Sequence, residues 1–309
     1  MDGNGNIADF VLERTSNGVL IGTDREGLTC AVVTSSTPTI QPQLRKTNML
    51  SVECNVPVVI NIGGQISNEI VHILRCHSTN RKEISVFIEL VSSILHGATA
   101  SLQNVIDAFD TIQRFFANKR EPTDNELIGL YAELYTILTY HDSLGIERFW
   151  QSKDRMKFDF SFTEKLKIEV KATTRSTRTH HFRHEQLMKD LYDVYVISYM
   201  LRYDDAGLSL FSLIENCKPL LKPYSSKLMR LLIVQKNVSE ERLQGICFNT
   251  NYTEENKSVF SAVDIPKFNQ STPDGVSNAE YDCVLDNATP IEESVFVADI
   301  ISTIQGTDD

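Results

Sequence analysis

Residues 156–173 read MKFDFSFTEKLKIEVKAT, and this stretch decides the fold that the sequence predicts. Apolar and polar residues alternate strictly in both halves, which predicts two short β-strands joined by a turn. Glu169 and Lys171 are two residues apart, so they share one face of the second strand. If the strands pair with their apolar rows inward, Asp159 projects from the same face. Two carboxylates and a lysine on a rigid sheet can bind a divalent cation and activate a water molecule.

The composition is that of a soluble globular protein. The 309 residues are 41% hydrophobic and 23% charged, enough for one large domain or two modest ones. No apolar run approaches the roughly 18 residues that a membrane-spanning helix needs, so we expect no membrane association. The first ten residues, MDGNGNIADF, lack the basic and apolar segments of a secretory signal, which favours a cytoplasmic location.

Charge is distributed unevenly along the chain. The net charge is −11, yet residues 148–189 contain 11 Lys and Arg against 5 Asp and Glu, a local +6 that leaves −17 for the rest. This basic segment overlaps the Asp159, Glu169 and Lys171 cluster and favours a polyanion-binding surface, while a merely solvated face remains open. The six cysteines are scattered without a CxxC pair, so we expect buried, reduced thiols and no zinc ribbon.

Residue patterns predict three regions along the chain. Residues 1–118 form a β-rich region that ends in a helix over residues 101–117. The pattern of residues 84–95 fits either a strand or a helix. Residues 119–235 form the core of an α/β domain. Residues 236–309 are rich in Asn, Thr, Ser and Asp, and we expect irregular and β structure packed on that core.

The core has a definite order of elements. Thr123 and Glu126 form a capping box that starts its first helix, and Glu133 lies at the edge of the apolar face of that helix. Residues 146–150 are expected to form a strand, followed by the two alternating strands. A basic loop, ATTRSTRTHHFRHEQ, leads into a short helix, HEQLMKDLY, and then into a strand over residues 193–202. The order αβββαβ predicts an α/β fold (α+β overall) with a mixed central sheet.

This order resembles the core of PD-(D/E)XK nucleases, which include many restriction endonucleases and repair nucleases. Glu133 lies on the first helix, Asp159 on a strand, and Glu169-Val170-Lys171 on the next strand, ten residues after the aspartate. Phe158 stands where the motif has proline, at a variable position of the superfamily. The segments GLYAELY, FDF, IEVKAT and HHFRHEQL also resemble a narrower family of PD-(D/E)XK-motif proteins. Its members are encoded beside methyltransferases in bacterial restriction–modification or phage-defence clusters, and this resemblance extends over the whole chain.

The resemblance implies a Mg²⁺-dependent endodeoxyribonuclease of the type II restriction kind, in which Mn²⁺ can replace Mg²⁺. Asp159, Glu169 and the Val170 carbonyl would hold the metal, because Mg²⁺ prefers oxygen ligands. Lys171 would orient the attacking water and stabilise the phosphorane. On the residues alone, an exposed ion pair between Glu169 and Lys171 remains open.

Residues around this centre receive supporting roles from the same resemblance. Glu133 could reach the metal directly or through water, although a helix-pairing contact is equally open, and Gln186 takes an auxiliary place on the second core helix. Phosphate contacts are expected from four side chains of the basic loop, namely Arg175, Arg178, Arg183 and His184. Three histidines of that loop also leave a zinc site open, namely His180, His181 and His184.

Two main functions follow. The first is a nuclease that cuts double-stranded DNA as a homodimer, since two strands must be cut, with a methyltransferase or an ATPase as a partner in the same system. The second is a non-catalytic DNA-binding or assembly subunit of a defence complex with the same fold. The complete set of Asp159, Glu169 and Lys171 favours the first. An unrelated α/β binding protein is the third possibility.

Overall fold

The computed structural model describes residues 10–15, 18–36, 42–62, 65–95, 97–118, 120–151, 157–269, 273–276 and 278–306. The chain divides into two compact units, Met1–Arg120 and Glu121–Asp309. The boundary expected from the sequence lay between residues 118 and 119. Residues 236–309, expected as a C-terminal region packed on the core, belong to the second unit. Met156, the first residue of the alternating stretch, lies outside the described residues.

The first unit is a seven-stranded sheet with two helices. Its strands are β1 (Phe10–Arg14), β2 (Leu20–Asp24), β3 (Thr29–Ser35), β4 (Gln43–Lys46), β5 (Leu50–Ile62), β6 (Gln65–Cys76) and β7 (Thr99–Ala100). The antiparallel order is β1-β2-β3-β6-β5-β4, and β7 pairs in parallel with β3. Helices α1 (Arg81–Ile94) and α2 (Leu102–Ala117) pack on this sheet.

Both helices of this unit begin at a capping side chain. Of the residues left open between strand and helix, 84–94 are helical because Asn80 accepts a hydrogen bond from the Lys82 N–H and because Phe87 and Leu90 are buried on one side of α1. Ser101 caps α2 by accepting from the Asn104 N–H, which confirms the helix predicted over residues 101–117.

The second unit is built around a four-stranded mixed sheet with the order β14-β11-β9-β8. Strand β9 (Leu166–Thr173) is antiparallel to β8 (Phe160–Ser161) and parallel to β11 (Asp193–Met200), which is antiparallel to β14 (Lys257–Ser261). The other strands are β10 (Thr179–Arg183), β12 (Tyr203–Ser209), β13 (Cys247–Phe248) and β15 (Glu280–Val284). The helices are α3 (Asp124–Leu144), α4 (Leu210–Leu221), α5 (Ser225–Asn237), α6 (Glu240–Gly245), α7 (Thr250–Glu255) and α8 (Glu293–Gln305), with 3₁₀ turns at Ile146–Phe149 and His184–Leu187.

Three layers enclose the core of the second unit. Helix α3 covers one face of the sheet, where the Thr136 hydroxyl lies 3.0 Å from the hydroxyl of Tyr199. Strands β10 and β15 pair antiparallel into a ribbon, and this ribbon covers the opposite face through Phe182 and Val196, which belong to one apolar cluster. The mixed α/β architecture predicted from the sequence is therefore confirmed.

Helix α3 begins at the capping box that its sequence predicts. The capping box is present, since Thr123 Oγ1 accepts from the Glu126 N–H and Glu126 Oε2 accepts from the Thr123 N–H. The helix ends at Gly145, whose φ of 55° lies in the left-handed region that glycine adopts at low cost. A side chain at this position would also crowd Arg148.

Two predictions for the strand order were wrong. Residues 146–150 are not a strand but a 3₁₀ turn followed by Trp150, which forms a single bridge with Phe160. The third strand of the core is instead β10, in the segment predicted as a basic loop. Its partner is β15, with Thr179 opposite Val284, and short-range patterns do not reveal a partner so distant in the sequence.

The second core helix is also shorter than predicted. HEQLMKDLY forms only the 3₁₀ turn His184–Leu187, and β11 then begins at Asp193, as expected. Residues 236–309 contain helices α6, α7 and α8 besides the strands expected there. All six cysteines are free and buried, which confirms the expected thiols. Within the described ranges no helix has the length and apolarity needed to cross a bilayer.

Candidate active site

The register of β8 against β9 brings the acidic residues together. Phe160 pairs with Ile168 and Ser161 with Lys167, so one further step places Asp159 opposite Glu169. Asp159 Oδ2 accepts a hydrogen bond of 2.7 Å from the Val170 N–H. The carboxylate of Asp159 is thus fixed against the middle of the Glu169-Val170-Lys171 triplet.

Glu169 and Lys171 lie side by side on the ribbon-covered face of β9. Lys171 Nζ is 2.6 Å from Glu169 Oε1, and Nζ also lies 5.1 Å from the ring centroid of Phe182 on β10. The predicted shared face is therefore present. The alternative of an exposed ion pair is wrong for Glu169, which is only 5% exposed. The ion pair is buried because the β10–β15 ribbon packs over it.

Burial dominates the electrostatics of the three charged groups. Burial raises the pKa of Asp159 well above its ordinary value, and the charges of Glu169 and Glu133 add to this effect. Burial likewise raises the pKa of Glu169, although Lys171 opposes it. For Lys171, burial alone would lower the pKa, but the neighbouring Glu169 and Asp159 outweigh burial and raise it. Two carboxylates that disfavour each other's ionisation share a single lysine, an imbalance that one added cation would correct.

One carboxylate oxygen is left unsatisfied at this centre. Glu169 Oε2 is buried and makes no hydrogen bond among the described residues, a costly state for a carboxylate unless a ligand completes it. The described residues include no group of three His, Cys, Asp or Glu side chains that could hold a metal. Two neighbouring carboxylates are oxygen donors of the kind that a hard divalent cation binds, with carbonyl oxygen and water completing its shell.

Glu133 is close to this centre, but both of its carboxylate oxygens already accept hydrogen bonds. Its Oε2 accepts 2.6 Å hydrogen bonds from Trp150 Nε1 and from Arg230 Nη1, and its Oε1 accepts from Arg230 Nη2 at 3.0 Å. Its charge still raises the pKa values of Asp159 and Glu169. These contacts place Glu133 beside the two predicted ligands as an ion-paired neighbour.

Gln186 reaches the same centre from the ribbon side. Its Oε1 accepts from the Arg183 N–H at 3.0 Å, and its Nε2 donates to the Lys157 carbonyl at 2.7 Å. Its amide also lowers the pKa of Glu169. Gln186 is 6% exposed and lies on a 3₁₀ turn, not on the helix that the sequence predicted.

The four predicted phosphate contacts divide into two exposed and two buried side chains. Arg175 is exposed in the loop after β9, and Arg183 is exposed on β10, where its Nε is 3.2 Å from Glu280 Oε1. Arg178 is buried, because its guanidinium donates to the backbone carbonyls of Ser198 and Asn256. A phosphate cannot reach Arg178 in this arrangement.

His184 is the other buried member of this set. It is 4% exposed, and its Nδ1 lies 3.1 Å from the hydroxyl of Tyr281. The prediction that His184 contacts DNA is therefore wrong for this arrangement, because the side chain is buried.

The three histidines of this segment do not converge on one point. His180 points inward and its Nε2 lies 2.6 Å from Ser198 Oγ, whereas the exposed His181 lies on the other face of β10 beside Asp282. The alternation of a strand replaces the helical spacing on which the zinc alternative rested. Burial lowers the pKa of His180 to about 3, so it is neutral beneath Lys171.

Arg230 and Trp150 are the residues at this site that the sequence did not reveal. Arg230 lies on α5, 97 positions after Glu133, outside every motif that the sequence displays. Trp150 is the single tryptophan of the chain, and this rarity is the one signal that could have drawn attention to it.

A comparison with protein families agrees with this geometry. The family model described as "Putative PD-(D/E)XK family member, (DUF4420)" matches residues 5–286. The chain belongs to this family. Searches of curated proteins and of solved structures find no match. Membership in a PD-(D/E)XK family points to nuclease chemistry. Asp159, Glu169 and Lys171 remain the residues that the sequence predicts for the motif positions.

Proposed function

We propose that the chain is a Mg²⁺-dependent DNA endonuclease that hydrolyses phosphodiester bonds. Asp159, Glu169 and Lys171 would form its active site. The buried Oε2 of Glu169 beside Asp159, to which no residue in the described part of the chain donates a hydrogen bond, carries this proposal. A site that lacks one positive charge and one ligand for a carboxylate oxygen is suited to a divalent cation.

Asp159 and Glu169 would hold the metal together with the Val170 carbonyl. The Val170 N–H already points towards Asp159, and in an extended strand the N–H and C=O of one residue point to the same side. The bound metal would supply Lewis acidity for the phosphate and a lower pKa for the attacking water.

Lys171 would provide positive charge where the transition state becomes more negative. Its ammonium group is held by Glu169 and faces the ring of Phe182, so its position is set before substrate binds. The raised pKa of Lys171 keeps it protonated at neutral pH, which supports a role in charge stabilisation and in orienting water. Gln186 would help to hold the Glu169 side chain.

DNA would approach through the basic segment around this centre. Arg175 and Arg183 are exposed there and would contact phosphates, which position the duplex without reading its sequence. We further propose, from the resemblance alone, a type II restriction-like role in the bacterial cytoplasm, with double-stranded DNA as substrate, a homodimeric enzyme and a methyltransferase or ATPase partner. Mn²⁺ is expected to replace Mg²⁺.

Cleavage of supercoiled plasmid tests the proposal. Unmethylated, methylated and phage-derived DNA would each be incubated with the protein in Mg²⁺, in Mn²⁺ and in EDTA. We expect metal-dependent nicking or cutting, reduced at least about 100-fold in Glu169→Ala and Lys171→Ala, because each removes a ligand or a charge from the transition state.

Glu164→Ala is the matched control for these variants. Glu164 is an exposed acid in the turn before β9, so its loss should leave cleavage unchanged. If the wild-type protein cuts none of these DNAs with either metal, the non-catalytic DNA-binding or assembly function replaces the nuclease.

A further inference from the structure

Arg230 on α5 donates hydrogen bonds to residues in the neighbourhood of the proposed site. Its guanidinium donates two hydrogen bonds to Glu133, of 2.6 Å and 3.0 Å, in the bidentate arrangement that fixes both partners. Nη1 also donates to the Gln151 carbonyl at 3.2 Å. One side chain therefore binds both helix α3 and the segment that leads to Asp159.

Trp150 completes the cluster around Glu133. Its indole N–H donates to the carboxylate at 2.6 Å, and its ring centroid lies 4.7 Å from the Arg230 guanidinium carbon. Trp150 is 1% exposed and Glu133 is also buried, whereas the Arg230 side chain is 27% exposed. The buried Glu133 carboxylate accepts three hydrogen bonds of 2.6–3.0 Å, two from the charged Arg230 and one from Trp150. It therefore has little freedom to move.

Gln151 connects this cluster to the proposed metal ligands. Its carbonyl accepts from Arg230, and its own N–H donates to the backbone carbonyl of Asp159 at 2.8 Å. Asp159 in turn accepts from the Val170 N–H. A continuous set of hydrogen bonds thus runs from α5 to the strand that carries Glu169 and Lys171.

We propose that Arg230 is a positioning residue of the active site: by holding Glu133, Trp150 and Gln151 together, it fixes the Asp159 carboxylate against the Val170 amide. The purpose of this role rests on the proposed function, because Asp159 can bind a metal together with Glu169 only if the two carboxylates stay side by side. The positioning itself is a property of the protein without metal or DNA.

Lys227, one turn earlier on α5, offers a matched control. Its Nζ donates to the Glu147 carbonyl at 2.8 Å and to the Arg148 carbonyl, so it ties α5 to the same 3₁₀ turn. Its described contacts include neither Glu133 nor Gln151. Loss of Lys227 therefore weakens the packing of α5 without releasing the Asp159 segment.

Hydrogen exchange of the Val170 amide tests the positioning directly. The exchange rate would be measured in Arg230→Gln, Arg230→Lys and Lys227→Gln without metal, and expressed relative to the amides of β11, which report on global opening. We expect Val170 to exchange about tenfold faster in Arg230→Gln, which corresponds to about 1.4 kcal/mol. Arg230→Lys should show a smaller increase, and Lys227→Gln should match the wild type.

Equal Val170 exchange in Arg230→Gln and the wild type overturns the inference, as does an equal increase in Lys227→Gln. If Arg230→Gln does not fold, Arg230→Lys decides: exchange at the wild-type rate contradicts the positioning role. In parallel, Mn²⁺ affinity measured by electron paramagnetic resonance should fall about tenfold in Arg230→Gln. A wild-type protein that binds no Mn²⁺ would refute the metal-dependent function, while the exchange result would still decide the role of Arg230.

Discussion

At the scale of single residues, the carboxylates at the candidate site are of two kinds. Glu133 is neutralised by Arg230, whereas Asp159 faces the like charge of Glu169. The alternation of residues 156–173 was sufficient to predict that Asp159, Glu169 and Lys171 meet, because strand geometry alone fixes which side chains share a face. It could not predict that Glu133 is ion-paired, since its partner Arg230 is 97 positions away on another helix.

This difference predicts opposite effects on stability. Asp159 has a raised pKa in the folded state, so protonation of this carboxyl favours folding. The resulting contribution to the free energy of unfolding is complete below the ordinary pKa of 3.8 and is lost as the pH rises and Asp159 ionises. Asp159→Asn removes that loss and is expected to stabilise the metal-free protein by about 1 kcal/mol at pH 8, with a smaller gain at pH 5. Urea unfolding in EDTA at both pH values measures this.

Glu133→Gln is the comparison variant, because it leaves the Arg230 guanidinium without its buried counter-charge. It should destabilise the protein by about 3 kcal/mol. The assignment of the two carboxylates would be untenable if Asp159→Asn destabilised the metal-free protein as much as Glu133→Gln does.

At the scale of elements, local patterns predicted what depends on neighbouring residues and failed where distant segments pair. The capping box of α3 and the strands β9 and β11 follow from spacing that is visible within a few residues. Strand β10 was predicted as a loop because its polar, basic residues gain strand structure only through β15, about a hundred positions later. That ribbon is also what buries Glu169, so the burial of the site was equally beyond local patterns.

The role of the ribbon can be tested at two neighbouring residues. Leu285 follows β15, is 1% exposed and belongs to the cluster beneath the ribbon, whereas Val284 is 49% exposed. Leu285→Ala is expected to cost about 2–5 kcal/mol of unfolding free energy through lost contacts and a cavity. Val284→Ala should change it by less than about 0.5 kcal/mol. Thermal and urea unfolding would measure both, and similar costs at the two positions would contradict the packing of β15.

At the scale of the whole molecule, two facts frame the function. The family match spans residues 5–286, so it extends into both compact units, and the predicted motif residues lie in the second. The resemblance to PD-(D/E)XK proteins that the sequence predicted is thereby confirmed over residues 5–286. What the first unit contributes was not visible in the sequence, because its strands and helices carry an apolar core without a matching set of catalytic side chains.

The acidity of the whole chain makes weak, unspecific metal binding an expected background. With 41 Asp and Glu residues and a net charge of −11, weak cation binding is expected at many surface positions. A specific site must therefore be recognised by its loss in chosen variants. Glu164 again serves as the reference, since it is an exposed acid five positions before Glu169.

The most direct test of the central claim is a Mn²⁺ titration of the whole chain, followed by electron paramagnetic resonance, in the wild type, Asp159→Asn, Glu169→Gln and Glu164→Gln. We expect one tight site in the wild type and in Glu164→Gln. Asp159→Asn and Glu169→Gln should each weaken it by at least about tenfold, because each replaces a charged oxygen ligand by a neutral amide. Retention of wild-type affinity in both Asp159→Asn and Glu169→Gln would contradict the account.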